Sequence, residues 1–323
     1  MNALPLQHHG LTASRLVLGC MHLGGTWDRS APTAEHVQRA HEVVDAALAQ
    51  GINLFDHADI YTLGKSEQVF GQVLKARPGL RERILLQSKC GIRFPDESAP
   101  GRYDFSREHI VSSVEGILSR LGVESLDILL LHRPDPLMEP DEVAEAFRGL
   151  KASGKVRHFG VSNMSAGQIK LLRAAWDEPL VANQLEMSLE KLGWVESGVL
   201  VNQPPGAHVG FPEGTLEYCR LERIQLQAWG PLAQGLYSGR SLEGQPESVR
   251  ETAALVGRLA EAKQTTREAI VLAWLLKHPA GIQPVIGTSN AGRLAACADA
   301  SRLSLTREEW YALYVSSRGA RMP

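Results

Sequence analysis

Three apolar runs in this sequence end in groups that can move protons. Ile52-Asn53-Leu54-Phe55 leads into Asp56-His57-Ala58-Asp59-Ile60-Tyr61, another run ends in Ser88-Lys89-Cys90-Gly91, and a third in Leu131-His132-Arg133-Pro134-Asp135. A lysine and an aspartate at the ends of buried strands lose solvation and cost several kcal/mol unless they pair. Tyr61 stands about one loop turn beyond Asp56 and can return to the same mouth. A free phenol, with a pKa near ~10, is a poor acid at neutral pH. An ammonium beside it favours the phenolate and lowers that value, and an aspartate holds the ammonium in place. The chemistry expected is proton delivery to a carbonyl oxygen by Tyr61, with Lys89 and Asp56 behind it and His132 donating to the same oxygen. No side chain supplies hydride, so a cofactor must. Taken singly, each residue has a plainer reading: Asp56 as a cap or ion-pair member, Lys89 reaching to water, His132 as a core histidine. Their grouping at successive strand ends favours a site.

The elements that must position these groups repeat along the chain. Apolar runs fall at Arg15–Leu18, Ile52–Phe55, Ile84–Gln87, Asp127–Leu131, Val156–Val161, Val181–Gln184, Ile224–Trp229 and Gln283–Ile286. They are nearly continuous in Leu, Ile and Val, the pattern of strands buried on both faces. Between them lie segments of helical period. Glu35–Gln50 repeats Val37, Ala40, Val44, Ala47 and Leu48, and Gly51 supplies the stop. Thr265-Thr266-Arg267-Glu268 and Thr306-Arg307-Glu308-Glu309 read as capping boxes. Eight strands alternating with helices close most simply into a (β/α)8 barrel, a TIM barrel, forming one domain over residues 1–323. An open doubly wound sheet would bring a glycine-rich phosphate loop after its first strand. Leu18-Gly19-Cys20-Met21-His22-Leu23-Gly24-Gly25 lacks that G-x-G-x-x-G spacing. Leu4 to Ser14 is expected to form a short hairpin closing the barrel bottom. Long Pro/Gly-containing segments, Gly91–Phe105, Ser188–Phe211 and Gly230–Pro246, follow the third, sixth and seventh strands, on the face where barrel enzymes build their sites.

Composition narrows the partners. The 323 residues are 44% hydrophobic and 22% charged, with 34 basic against 36 acidic side chains mixed along the chain. No basic tract points to nucleic acid or a membrane surface, so the expected partner is a small molecule. Cys20, Cys90, Cys219 and Cys297 are scattered, which suits free thiols in a reducing cytoplasm. Met1 to Gly10 lacks a signal-peptide profile, and the longest apolar stretch, Ala269 to Leu276, falls far short of the roughly 20 residues of a membrane span. A cytoplasmic enzyme is expected.

These motifs together resemble the aldo-keto reductase family over essentially the whole chain. Phe55-Asp56 through Tyr61 resembles its F-D-x-A-x-x-Y signature. Ser88-Lys89, Leu130-Leu131-His132 and Gly160-Val161-Ser162-Asn163 resemble further signatures in the right order. The H-R-P-D-P run and Gly154–Asn163 look closest to a bacterial branch of little-characterised reductases related to the potassium-channel β subunits. The resemblance implies NADPH (or NADP) across the C-terminal mouth, Tyr61 as general acid, Lys89 as the neighbour that tunes it, Asp56 as partner of Lys89 and His132 as substrate-orienting donor. It implies that Ser162, Asn163 and Gln184 bind the nicotinamide carboxamide, that Trp229 stacks on the ring, and that Met21 lies nearby. Pro231, Leu232, Gln234 and Gly235 would pass the pyrophosphate. Ile286, Gly287, Thr288 and Ser289 would cradle phosphate where a helix opens, and Arg293 would pair with the 2′-phosphate. Trp27 and Phe94 are the expected substrate-pocket residues, with Arg133 and Tyr103 also within reach from their loops. His57, Thr62 and Trp229 replace the small residue, glycine and tyrosine common at those places. Ala296 and Cys297 stand where many members carry a Glu-Asn pair touching adenine.

The resulting expectation is an NADPH-dependent oxidoreductase that reduces an aldehyde or ketone to an alcohol. The alternative is an NADP-binding redox-sensor or regulatory protein with little turnover, which would keep the same residues. A metallohydrolase with His57, Asp59 and His132 as ligands is disfavoured, because the first strand lacks an H-x-H pair.

Overall fold

Each apolar run becomes a short strand, and in the computed structural model, which describes residues 3–323, eight of them close into a parallel barrel. The barrel strands are β1 (Val17–Gly19), β2 (Leu54–Asp56), β3 (Leu85–Cys90), β6 (Leu126–Leu131), β7 (Val156–Ser162), β8 (Leu180–Glu186), β9 (Gln225–Trp229) and β10 (Gln283–Ile286). The small strands β4 (Ile92–Arg93) and β5 (Arg102–Tyr103) pair as a hairpin in the loop after β3. Closure comes from β1, which pairs with both β2 and β10.

The strands read as unbroken apolar runs because both their faces are buried. Val17, Leu54, Ile128, Leu130 and Val285 point into the barrel and join one cluster. Leu16, Leu18, Phe55, Leu129 and Leu131 face the surrounding helices and join another. The ring includes α1 (Ala34–Ala49), α2 (Lys65–Ala76), α3 (Arg107–Leu121), α4 (Pro140–Ala152) and α5 (Ala166–Arg173). It continues through α7 (Thr215–Leu221), α9 (Arg267–Lys277) and α10 (Ala291–Ala298). Helices α6 (Gly193–Val199), α8 (Glu247–Ala262) and α11 (Arg307–Arg318) are set in the long segments and at the chain end. Helix α1 buries Ala40, Val43, Val44 and Ala47, and Gly51, at φ 72°, lets Ile52 N–H return to the Ala47 carbonyl at 2.9 Å. The box at Thr306–Glu309 opens α11 as expected.

Two local expectations change. Residues 4–14 do not form a hairpin. Pro5–His9 is a 3-10 turn that Gly10 ends at φ 77°, and Leu6 and Leu11 plug the barrel bottom against Val17, Leu54 and Val181. Pro5 favours the first turn of a helix and has no N–H to give a strand ladder. The cap of α9 is Thr266, not Thr265; its hydroxyl accepts from Ala269 N–H, so Glu268 takes no part in a capping box. Met1 and Asn2, the first residues of the leader reading, lie outside the described residues. Among the described residues, no helix is long and apolar enough to cross a membrane. All four cysteines are buried free thiols.

Candidate active site

The barrel strands deliver six side chains to one mouth. Asp56 ends β2, Lys89 lies near the end of β3, His132 follows β6, Ser162 ends β7, Gln184 lies in β8, and Trp229 ends β9. Past its last residue, β2 continues to bond β3. His57 N–H donates to the Gln87 carbonyl at 2.8 Å and Asp59 N–H to the Lys89 carbonyl at 3.0 Å. That run carries Tyr61 back over the mouth. The turn that follows is strained, with Thr62 at φ 47° and Leu63 at φ 61°, both left-handed and neither glycine. Thr62 is tied there by its hydroxyl, 2.8 Å from the Tyr61 carbonyl and 2.9 Å from Ser66 Oγ. Gly24 in the loop after β1 packs against this turn, where a Cβ would come within 2.1 Å of Thr62 Oγ1.

All three donors of the Lys89 ammonium have acceptors. They are Asp56 Oδ2 at 2.7 Å, the His57 carbonyl at 2.9 Å and Tyr61 Oη at 2.8 Å. Burial works to strip the ammonium of its proton, but Asp56 and Tyr61 outweigh it and hold the Lys89 value above the ordinary one. For Tyr61 the balance differs from the sequence expectation. Burial raises the phenol more than the Lys89 ammonium lowers it, so its value stays above the usual phenol range and the proton stays on oxygen at neutral pH. His132 stands with its ring edge-on to Tyr61, centroids 6.0 Å apart. Burial, then Lys89 and Arg133, hold its value well below that of a free imidazole, leaving a neutral ring with one N–H to give.

Beside this group, Asn163 adopts φ 60° and ties three strand ends together. Its Nδ2 donates to Ser162 Oγ at 2.8 Å and the His132 carbonyl at 3.3 Å, and its Oδ1 accepts from Trp229 Nε1 at 3.0 Å. Ser162 Oγ donates to the Gln184 carbonyl at 2.8 Å.

A cavity of about 1040 Å³ opens over these residues. Tyr61, Asp56, His132, Ser162, Asn163, Gln184 and Trp229 line it, with Met21 and Trp27 on one side. Pro231, Leu232, Gln234 and Gly235 line it from the loop after β9, and Gly287, Thr288, Ser289 and Arg293 from the start of α10. Asn290 caps that helix through Arg293 N–H at 2.9 Å. Its other first-turn N–H groups have no partner within the helix and can meet an anion.

Lys89 is fully buried behind Tyr61, where it was expected. Two residues expected to line the site do not: Ile286 is fully buried in β10, and Phe94 lies outside the cavity. Phe94 packs edge-on to Trp27 at 6.4 Å and borders a shallow pocket of about 340 Å³ with Asp59, Ser113 and Arg120. The hairpin β4–β5 sets it there, and Ile92 from the same hairpin lines the main cavity instead. Cys297 is buried in the core and does not line the cavity, and the Ala296 carbonyl accepts from Thr266 Oγ1 at 2.8 Å.

The structure adds residues that motif reading did not single out. His22, Ile60 and Arg240 also line the cavity. Arg133, expected within reach of the pocket, lines it too and lies over the Trp229 ring, 5.5 Å from its centroid. Arg133, Arg240 and Arg293 make no ion pair with a carboxylate among the described residues, whereas Asp56 is neutralised by Lys89. The cavity is therefore electropositive and suited to an anionic ligand. A basic residue in the long loop after β9 was the available signal for Arg240.

A parallel barrel thus holds an ion-paired lysine behind a tyrosine at its C-terminal mouth, and comparisons with known proteins give the family of this arrangement. Residues 15–314 match the Aldo/keto reductase family, and the chain belongs to that family. It is 38% identical to a 6-dehydroglucose reductase of Agrobacterium fabrum over 314 residues, 96% of each chain. It is 36% identical to the oxidoreductase YdhF of Escherichia coli, covering 96% of this chain and 95% of that one. Among solved structures it is similar to a glycerol dehydrogenase from Gluconobacter oxydans, with TM-score 0.77 and 25% identity over 96% of this chain and 93% of that chain.

Proposed function

We propose that this protein reduces an aldehyde or ketone of a small molecule to an alcohol, with NADPH as reductant and Tyr61 as proton donor. The observation that carries the reading is the buried chain Asp56–Lys89–Tyr61, with links of 2.7 and 2.8 Å, ending at the floor of the cavity.

The lining fits a phosphorylated nicotinamide dinucleotide. Gln184 Oε1 accepts no hydrogen bond from the described protein, although the residue is buried and faces the cavity. The Trp229 ring borders the same space, and the start of α10 with Arg293 and Arg240 offers N–H groups and positive charge for phosphates. When bound, such a group supplies the hydride that no side chain can.

The chain's own residues do the rest. Tyr61 holds its proton at neutral pH and gives it to the carbonyl oxygen as negative charge develops there. The Lys89 ammonium, 2.8 Å from Oη, then stabilises the phenolate left behind. Asp56 holds that ammonium in place. Neutral His132 donates its N–H to the same carbonyl oxygen and fixes its position. Trp27, Ile60 and Ile92 give the substrate end an apolar wall that excludes water.

The test is titration of the purified protein with NADPH and NADH, followed by a panel of small carbonyls, including a sugar aldehyde, read at the nicotinamide absorbance. Binding of NADPH with steady oxidation is expected. Absence of binding overturns the reading; tight binding without turnover on any carbonyl favours the redox-sensor alternative.

A further inference from the structure

Beneath the cavity, the barrel interior carries a polar layer where hydrophobic packing would be expected. It consists of Gln87, Gln184, Gln227 and Gln283, each at most 2% exposed, together with Asp56. Strand register places them at one level: Asp56 opposite Gln87, Gln184 opposite Gln227, and Gln227 opposite Gln283.

The amide orientations in this layer are fixed, and they follow from a group that cannot turn. Ser14 contributes a backbone carbonyl at the barrel bottom, which only accepts. Gln283 must therefore point its Nε2 at it, 2.6 Å away. Its Oε1 then faces inward and takes Gln227 Nε2 at 3.0 Å. Gln227 in turn presents its Oε1 to Gln87 Nε2 at 2.8 Å and Gln184 Nε2 at 3.0 Å. Gln227 Nε2 also returns a bond to Gln87 Oε1 at 3.1 Å, which closes the pair. Both outer amides donate to Asp56 Oδ1, at 2.6 and 3.2 Å. Gln184 thus has its NH2 held inward, and its Oε1 is left to the cavity.

The neighbouring pair is set by the same logic. The Trp229 indole can only donate, so Asn163 turns its Oδ1 toward it and spends both Nδ2 protons on Ser162 Oγ and the His132 carbonyl. Ser162 spends its own proton on the Gln184 carbonyl. All the hydrogen-bonding capacity remaining on the side chains of Ser162, Asn163 and Gln184 is acceptor capacity.

We infer that Gln87 and Gln227 are positioning residues that polarise this corner of the cavity into an acceptor nest, selecting a ligand that presents an NH2 group and rejecting its carboxylate counterpart. The inference rests on the proposed function, for the NH2 group in question is the carboxamide of the nicotinamide. Its consequence is discrimination between the dinucleotide and its deamidated form, nicotinic acid adenine dinucleotide phosphate. That molecule has the same size and would set a carboxylate against three acceptors.

The experiment measures Kd by intrinsic tryptophan fluorescence for NADP, the deamidated dinucleotide, and 2′-phospho-ADP-ribose, which lacks the ring altogether. The protein is wild type, Gln227→Met and Gln87→Met; methionine keeps the length and volume of glutamine and removes its amide. Wild type is expected to prefer NADP over the deamidated form by about tenfold or more. In Gln227→Met the ratio should narrow severalfold, with 2′-phospho-ADP-ribose affinity unchanged. Gln87→Met leaves Gln227 bonded to Gln184 and Gln283, and should narrow the ratio less; it carries the test if Gln227→Met does not fold. Equal wild-type affinity for the two dinucleotides overturns the inference. So does a folded Gln227→Met that loses thermal stability but keeps the wild-type ratio, because the layer is then structural only. Failure of folded wild type to bind all three ligands overturns the functional reading, and this inference with it.

Discussion

Replacing Lys89 by methionine should strand a buried carboxylate, and the structure sets the size of the effect. Lys89 is 0% exposed and Asp56 1%, with 2.7 Å between Nζ and Oδ2. At an effective dielectric of about 20, two unit charges at that distance attract by roughly 6 kcal/mol. Desolvation of both ions offsets much of this in the intact pair, but removal of one partner leaves the other uncompensated, at a cost of about 3–5 kcal/mol. Gln87 and Gln184 still donate to Oδ1 in the variant, which places the expected loss toward the lower end of that range. The assay is urea denaturation at neutral pH of wild type, Lys89→Met, Asp56→Asn and the double variant. Lys89→Met should lose about 3 kcal/mol, and adding Asp56→Asn should recover much of it, since no charge is then stranded. Carbonyl turnover should fall by about 10²–10⁴ in Lys89→Met whether or not stability is recovered. A loss below about 1 kcal/mol, or no recovery in the double variant, would refute the buried-pair reasoning.

Two further outcomes follow. Arg293→Ala should weaken NADPH binding by about ten- to a hundredfold while changing NADH binding little, because a charge-assisted bond to the extra phosphate is worth about 1.5–3 kcal/mol; equal changes in a fluorescence titration would remove Arg293 from that role. Burial, then Glu67 nearby, pushes the Asp59 carboxyl up to about 7 from 3.8. Its folded value lies above the unfolded one, so the fold binds the proton more tightly and loses stability as pH rises from about 4 to about 7. The loss is at most roughly 4 kcal/mol. Asp59→Asn should flatten that fall, and parallel stability–pH curves for variant and wild type would show that Asp59 is not its source.

Much of the fold was legible because burial on both faces writes itself into a strand as an unbroken apolar run. Val156–Ser162 and Leu126–Leu131 were therefore found almost to the residue. Residues 4–14 resist reading because three buried leucines, Leu4, Leu6 and Leu11, spaced around two histidines and Gly10, carry no period that separates a 3-10 turn from a hairpin. Asp56, Tyr61, Lys89 and His132 stood out because charged or polar groups ending apolar strands demand a reason. The polarity of the site did not stand out. Gln87, Gln227 and Gln283 each look like an isolated polar residue in a strand, and only barrel closure brings them to one level. The sense of the Tyr61 shift was equally hidden. An ammonium 2.8 Å away is a local inference, whereas the burial that overrides it depends on how the strand ends of the whole barrel gather around the phenol.

In the proposed reaction the Tyr61 hydroxyl gives up the proton. Tyr61→Phe keeps the ring and removes the one atom in question. Single-turnover mixing of the NADPH-loaded variant with a carbonyl that wild type reduces tests it most directly. NADPH affinity should stay close to wild type while oxidation slows by about 10²–10⁴. Oxidation at the wild-type rate in that variant would contradict it.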